Sequence, residues 1–399
     1  GGYSTLLPLY IISLGGSVID VGNVASAYSL ALIPSSILWG IAVDRRGKRK
    51  PFVIYSYLGI TVLLVAGFFV AEIGPILLLY VCYAIVSTAA GPAVSLLLIE
   101  SSPKKTLSMT FAKYSALTLV GTAAGAIPGT FWTSFFPLKA YFLLCAAFSG
   151  LSVILAASYL AEPAFPLERR IVAMTQESLV TRLRAFSMIF ITIPSLDDIR
   201  SFGRLMRSVF TRHLPLLYMS FFFFFMGAYL FFTAYTPFLK SRQLGDSGVF
   251  TVYSMLFILE AAIFLITGRA CSRFGERRVA ILALLIRIIG FSAGVATVLL
   301  MLQDSVLLFA SMGVTAMTGT AYALYTTSSS VLLFRSLPVG KQGELLGVYS
   351  ALTGTAAFLG AIASGYLSYQ FGYEVTFSAA TFLVIGCLLA FRSALSENS

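Results

Sequence analysis

Two charged side chains stand inside long apolar runs, Glu260 and Arg287. A charge at the centre of a bilayer costs about 2.5–3.5 kcal/mol even on the lenient insertion scale, so such a residue needs a partner, water or a solute beside it. Each lies about eight residues from the same end of its apolar run, which places the two at matching depth. We expect a buried ion pair, acting either as a static clamp or as a proton-coupling site.

Other reactive chemistry is sparse. The single histidine, His213, ends a basic loop, and the four cysteines (Cys82, Cys145, Cys271, Cys387) are far apart, so no disulfide framework and no metal-ligand cluster is expected. No His, Ser or carboxylate constellation suited to catalysis is visible, and the sequence lacks the G-x-x-x-x-G-K-[ST] phosphate loop. The reading is of a protein that is not an enzyme, needs no cofactor and hydrolyses no ATP.

The elements that must position Glu260 and Arg287 follow from composition. Of 399 residues 58% are hydrophobic and 11% charged, which excludes an ordinary water-soluble domain. Apolar runs of about twenty residues recur, each long enough to cross a hydrocarbon core of roughly 30 Å as a helix. A β-barrel would alternate apolar and polar positions, and the stretches 216–235 and 279–302 do not. Spans are expected near 1–17, 22–43, 51–70, 74–98, 107–131, 139–160, 214–238, 248–268, 279–300, 305–334, 342–368 and 372–392. The first begins without a polar leader, so its start is expected to be truncated. The five consecutive phenylalanines Phe221 to Phe225 are expected mostly to face lipid.

The net charge of +11 is not a nucleic-acid footprint, because the charges sit between spans. One side holds 22 of the 27 Lys and Arg, the other holds Lys139, Lys240 and Arg242, and Lys113 and Arg287 lie within spans. The positive-inside rule makes the rich side cytoplasmic, with both termini inside a plasma membrane. The long polar interruption 161–213 then divides the spans six and six. Within it Ser195 reads as the N-cap of an amphipathic helix that lies on the inner leaflet. The domain expectation is therefore 1–160, a six-helix bundle; 161–213, a cytoplasmic linker; and 214–399, a second six-helix bundle.

The second half repeats the first. Lys113-Tyr-Ser-Ala-Leu-Thr falls on Val348-Tyr-Ser-Ala-Leu-Thr, and the same offset carries Gly125-Ala-Ile onto Gly360-Ala-Ile. Likewise Gly40, Arg45, Gly47, Arg49 and Lys50 fall on Gly268, Arg273, Gly275, Arg277 and Arg278. Six spans per half preserve orientation, so the repeats are parallel, related by an axis along the membrane normal.

The loop Gly40-Ile-Ala-Val-Asp44-Arg45-Arg46-Gly47-Lys48-Arg49-Lys50 resembles the signature loop of the major facilitator superfamily, and with the degenerate second copy and the six-plus-six repeat the resemblance spans the chain. Gly47 permits a tight turn, Gly40 lets a helix approach, and Asp44 can face a positive helix N-terminus. The resemblance implies that Asp44 meets the start of span eleven, around Gln342 and Gly343, as a conformational lock shared by Gly40, Asp44, Arg45, Gly47, Arg49 and Lys50. In the second copy Ser272 replaces the acid, which makes the lock one-sided.

The resemblance also implies a substrate cavity lined by spans one, four, seven and ten. Its candidates here are Tyr10, Tyr83, Ser87, Tyr229, Thr233, Tyr322 and Tyr325, a lining suited to a neutral, amphipathic or aromatic solute. Span five carries Gly121, Gly125 and Gly129, one small-residue face for helix packing, echoed by Gly360 in span eleven. With Pro128 this run partly resembles a motif of family exporters. Span four, from Leu77 to Ile99, holds no charge, so it lacks the arginine that family antiporters use for proton coupling. The expectation is a monomeric secondary transporter of a small organic solute, working by alternating access and favouring export or antiport. A sugar-like solute facilitator or importer, and a non-transporting receptor or assembly subunit on the same fold, are the alternatives.

Overall fold

The computed structural model describes residues 2–46, 48–101, 107–161, 213–336 and 342–396. They form helices α1 (Gly2–Ser13), α2 (Val18–Arg46), α3 (Lys50–Phe69), α4 (Ile73–Ser87), α5 (Ala90–Ser101), α6 (Leu107–Phe135), α7 (Tyr141–Tyr159), α8 (His213–Ser241), α9 (Asp246–Phe274), α10 (Glu276–Leu299), α11 (Asp304–Ser336), α12 (Gln342–Phe371) and α13 (Tyr373–Ser396). There is no strand among the described residues. Ten stretches of them are long and apolar enough to cross a membrane, with α4 and α5 together making one, Ile73–Leu98. With α1 and α6 the order is consistent with twelve spans.

Two local differences from the expected boundaries have clear causes. Helix α2 starts four residues early because Ser17 and Asp20 form a capping box: the Ser17 N–H donates to Asp20 Oδ2 at 2.7 Å and the Asp20 N–H to Ser17 Oγ at 3.4 Å. Span four is not one helix but two, broken after Ser87. Pro92 has no N–H to offer the carbonyl of Thr88 four residues back, so the ladder is interrupted there. The linker residues 162–212, including the amphipathic helix expected from Ser195, lie outside the described residues, as do Gly47 and the side chains of Asp44, Arg45 and Gln342.

Within the second half, α8 packs on α12 and α13, and α11 on α9 and α10; in the first, α3 packs on α7 and α2 on α4. The halves meet along two helix pairs, α2 with α12 and α6 with α9. Glycine sets the closeness. A Cβ on Gly22 would stand 2.9 Å from the Ala361 carbonyl oxygen and from the Gly365 Cα, and one on Gly129 would enter the Phe250 ring. Ser247 Oγ also donates to the Thr130 carbonyl at 2.5 Å across the second pair. These contacts gather at the end opposite the basic loops. Gly40 on α2 and Gly268 on α9, toward the basic end, and Gly121 at the middle of α6 face open space.

Candidate functional site

Helix α8 presents Phe225, Tyr229 and Phe232 at spacings of four and three, which puts them on one face. That face turns toward a cavity of about 280 Å³ whose other walls include Glu260 of α9, Arg287 of α10, and Thr318 and Tyr322 of α11. Gly319 lets α11 reach this depth, since a Cβ there would stand 3.1 Å from the Leu256 carbonyl of α9. Glu260 lies fourteen residues from either end of Asp246–Phe274, and Arg287 eleven residues into Glu276–Leu299. Both are thus deeper than their apolar runs suggest, near the middle of the helices.

The Arg287 environment is unusual for a cation. The residue is fully buried, its guanidinium lying 4.2 Å from the Phe224 ring centre and 4.9 Å from that of Phe291. Cation–π contacts of this kind contribute about 0.5–2 kcal/mol. None of its three guanidinium nitrogens has a hydrogen-bond partner among the described residues. The expected ion pair is not formed: among the described residues no salt bridge joins Arg287 to Glu260, although the two share one cavity. Two unlike charges face the same space without touching.

A second cavity, of about 330 Å³, adjoins the first at Phe225 and Tyr229 and lies between the halves. The first half lines it with Ser29, Ile33 and Ser36 of α2 and with Thr88 at the break in span four; the second half adds Ser350, Thr353 and Gly354 of α12. The break in span four therefore falls at the cavity wall, where Thr88 bonds the Ala84 carbonyl through its hydroxyl at 2.5 Å.

Of the expected cavity residues, the structure brings Tyr229 and Tyr322 to this chamber. Tyr10 is not there: it is buried, and its hydroxyl donates at 2.6 Å to the carbonyl of Val70, at the end of α3, where the helix leaves acceptors without intrahelical donors. Tyr83 lies in the first half, 4.6 Å from the Tyr3 ring, and lines a separate cavity with Gly121 and Gly125. Ser87 turns back to the Ala84 carbonyl at 3.2 Å, and Thr233 is buried; neither lines the chamber. Tyr325 is core, stacked 4.1 Å from Phe224 with its hydroxyl 3.1 Å from Ser220 Oγ.

The phenylalanine run corrects another expectation. Phe221 and Phe224 are fully buried and Phe225 lines both cavities, because α8 runs inside the second half rather than along its rim. Of the loop residues, Arg49 is buried and donates through Nη1 to the Val43 carbonyl, while Lys50 Nζ donates to the Ala157 carbonyl of α7 at 2.7 Å. Both tie the first half to itself. Gly360 brings α12 against α8, where a Cβ would stand 2.6 Å from the Met226 carbonyl. The hydroxyls of Thr88, Ser350 and Thr353 were missed; Pro92 was the available signal for the first.

Comparison with known proteins agrees with this architecture. The model of the Major Facilitator Superfamily matches residues 1–293 and again 217–398. No curated protein matches in sequence. Among solved structures, the D323A mutant of the nucleoside transporter NupG superposes with a TM-score of 0.72 at 16% identity, covering 99% of this chain and 96% of that one. A POT family transporter in complex with a thioalcohol-conjugated peptide gives 0.73 at 12%, covering 100% and 93%. The xylose transporter XylE from E. coli, in a partially occluded inward-open conformation, gives 0.68 at 10%, covering 97% and 94%. At such identities the likeness is one of fold, and the family assignment rests on the sequence model: the chain belongs to the Major Facilitator Superfamily and is a membrane transporter rather than an enzyme.

Proposed function

We propose that the chain is a secondary active transporter that moves a small organic solute across the plasma membrane by rocking its two six-helix halves about the central chamber. The observation that carries this reading is the chamber itself: it is near mid-depth, is lined from both halves, and lies on the basic side of the close Gly22/Gly365 and Gly129/Phe250 contacts. A midplane site between parallel repeats is where such rocking alternates access. With the basic end assigned to the cytoplasm, the Gly22/Gly365 and Gly129/Phe250 contacts close the outer end. Export is the direction favoured by the glycine run of α6. The chain acts as a monomer, with lipid and solute as its partners.

Reconstitution tests this directly. Proteoliposomes preloaded with a labelled solute panel should show counterflow that depends on the protein and saturates with solute, and flux indistinguishable from empty liposomes for the whole panel contradicts transport. Single cysteines at Ser178 or Ser201 in the linker should react with an impermeant thiol reagent only in inside-out vesicles. Labelling of intact cells would reverse the orientation.

A further inference from the structure

Arg287 and Glu260 ask for a ligand of particular charge. A buried charge is retained where it is paired or holds a ligand, and truncating one partner of a desolvated pair is costly. Here a fully buried guanidinium has aromatic faces and no hydrogen-bond acceptor, on the wall of a cavity it shares with a carboxylate that, among the described residues, makes no salt bridge and no hydrogen bond, with Arg287 near enough to act on it through space but not in contact. A neutral solute would leave both charges uncompensated. An anion would answer Arg287 and oppose Glu260, and a cation would do the reverse. A solute carrying both signs answers both at once, with its carboxylate taken by the planar guanidinium fork and its ammonium by the Glu260 carboxylate. Between the two charges the walls are Phe225, Tyr229, Phe232 and Tyr322, which suit a flat or branched apolar body. The volume of about 280 Å³ holds a molecule of amino-acid size, and the adjoining hydroxyl-lined cavity of about 330 Å³ extends it toward the first half.

We propose that Glu260 and Arg287 are the two poles of a solute site for an amino-acid-type zwitterion with an aromatic or bulky aliphatic body. The site rests on the transporter reading above and narrows its substrate class. It also explains why two opposite charges placed at one depth do not close on one another.

Four probes sharing one skeleton test the assignment: L-phenylalanine, 3-phenylpropanoate, 2-phenylethylammonium and neutral 3-phenylpropan-1-ol, each titrated against the purified full chain while thermal unfolding is followed. L-Phenylalanine should stabilise most. Arg287→Met should weaken the responses to L-phenylalanine and 3-phenylpropanoate at least tenfold and leave that to 2-phenylethylammonium; Glu260→Gln should do the converse. Arg287→Lys, which keeps the charge without the fork, should retain a weakened carboxylate response and guards against a variant that fails to fold. The proposal is overturned if the neutral alcohol stabilises as well as the zwitterion, if no charged probe stabilises, or if the charged responses survive both substitutions. Flux of uridine, xylose and L-phenylalanine into proteoliposomes, measured in parallel, separates the two levels. Saturable flux of neutral solutes without a charged response leaves a transporter and removes the zwitterion site, and absence of all flux removes the transporter reading as well.

Discussion

Among the described residues two arginines are the largest fully buried side chains, and they are buried in opposite ways. Arg49 follows the turn after α2 and sends its Nη1 back to the Val43 carbonyl, one of the acceptors that a helix end leaves open. Arg287 sits in mid-helix against two rings, on the wall of a cavity, and among the described residues its nitrogens have no acceptor. The first is satisfied by the fold it belongs to. The second has only aromatic faces and no hydrogen-bond acceptor among the described residues, and that difference separates a residue kept for architecture from one kept for a solute.

The contrast can be broken by experiment, beginning with its largest consequence. Arg287→Met should reduce saturable transport of the solute at least tenfold, since truncating one partner of a buried charged contact costs about 2–5 kcal/mol. Arg49→Met should spare solute affinity and instead lower stability by about 1.5–3 kcal/mol, the usual contribution of a hydrogen bond made by a charged group, read as a lower unfolding temperature. Equal losses of affinity in both variants would erase the distinction.

The glycines sharpen the same comparison in terms of conformation. Gly129→Ala drives a methyl into the Phe250 ring and should weaken the closed, non-basic end by about 1–3 kcal/mol, the common cost of overpacking. Gly121→Ala meets no atom within 4 Å and should leave the balance of states unchanged, since helix propensity of up to about 1 kcal/mol acts on both states alike. Spin-label distances across the basic end should therefore shift for Gly129→Ala and stay unchanged for Gly121→Ala. The smallest effect is expected at Ser272, whose hydroxyl only bonds the Arg269 carbonyl of its own helix at an exposed site. Ser272→Ala should change stability by less than about 0.5 kcal/mol, whereas Asp44→Asn should shift the balance of states measurably while expression is unchanged.

Much of the fold was legible because length and apolarity alone define a span, and the positions of Glu260 and Arg287 stood out because charge in such a run is costly. What the chain order did not reveal was facing. Glu260 and Arg287 were placed at one depth, yet whether they touch depends on the rotation of α9 against α10, which no spacing rule fixes. Tyr325 and Tyr322 are three residues apart on α11, and one is core while the other lines the cavity. Hydroxyls mislead for a further reason: Thr326, Thr327 and Ser329 bond carbonyls of their own helix, so a polar residue in a span does not by itself mark a lining. The break in span four was readable from Pro92, and the early start of α2 from the Ser17-Val-Ile-Asp20 box, since both act through local backbone chemistry.

The most direct test of the central claim is the unfolding temperature of Arg287→Met compared with that of the parent protein, both without solute. A guanidinium held only by two aromatic faces, worth about 0.5–2 kcal/mol, and desolvated without an acceptor stabilises little, so the variant should unfold close to the temperature of the parent, and its unfolding temperature should no longer respond to 3-phenylpropanoate. A static clamp would instead lose about 3–5 kcal/mol when one member is removed. A fall in unfolding temperature of that size, reversed by adding Glu260→Gln, would show that the two charges exist for each other and not for a solute.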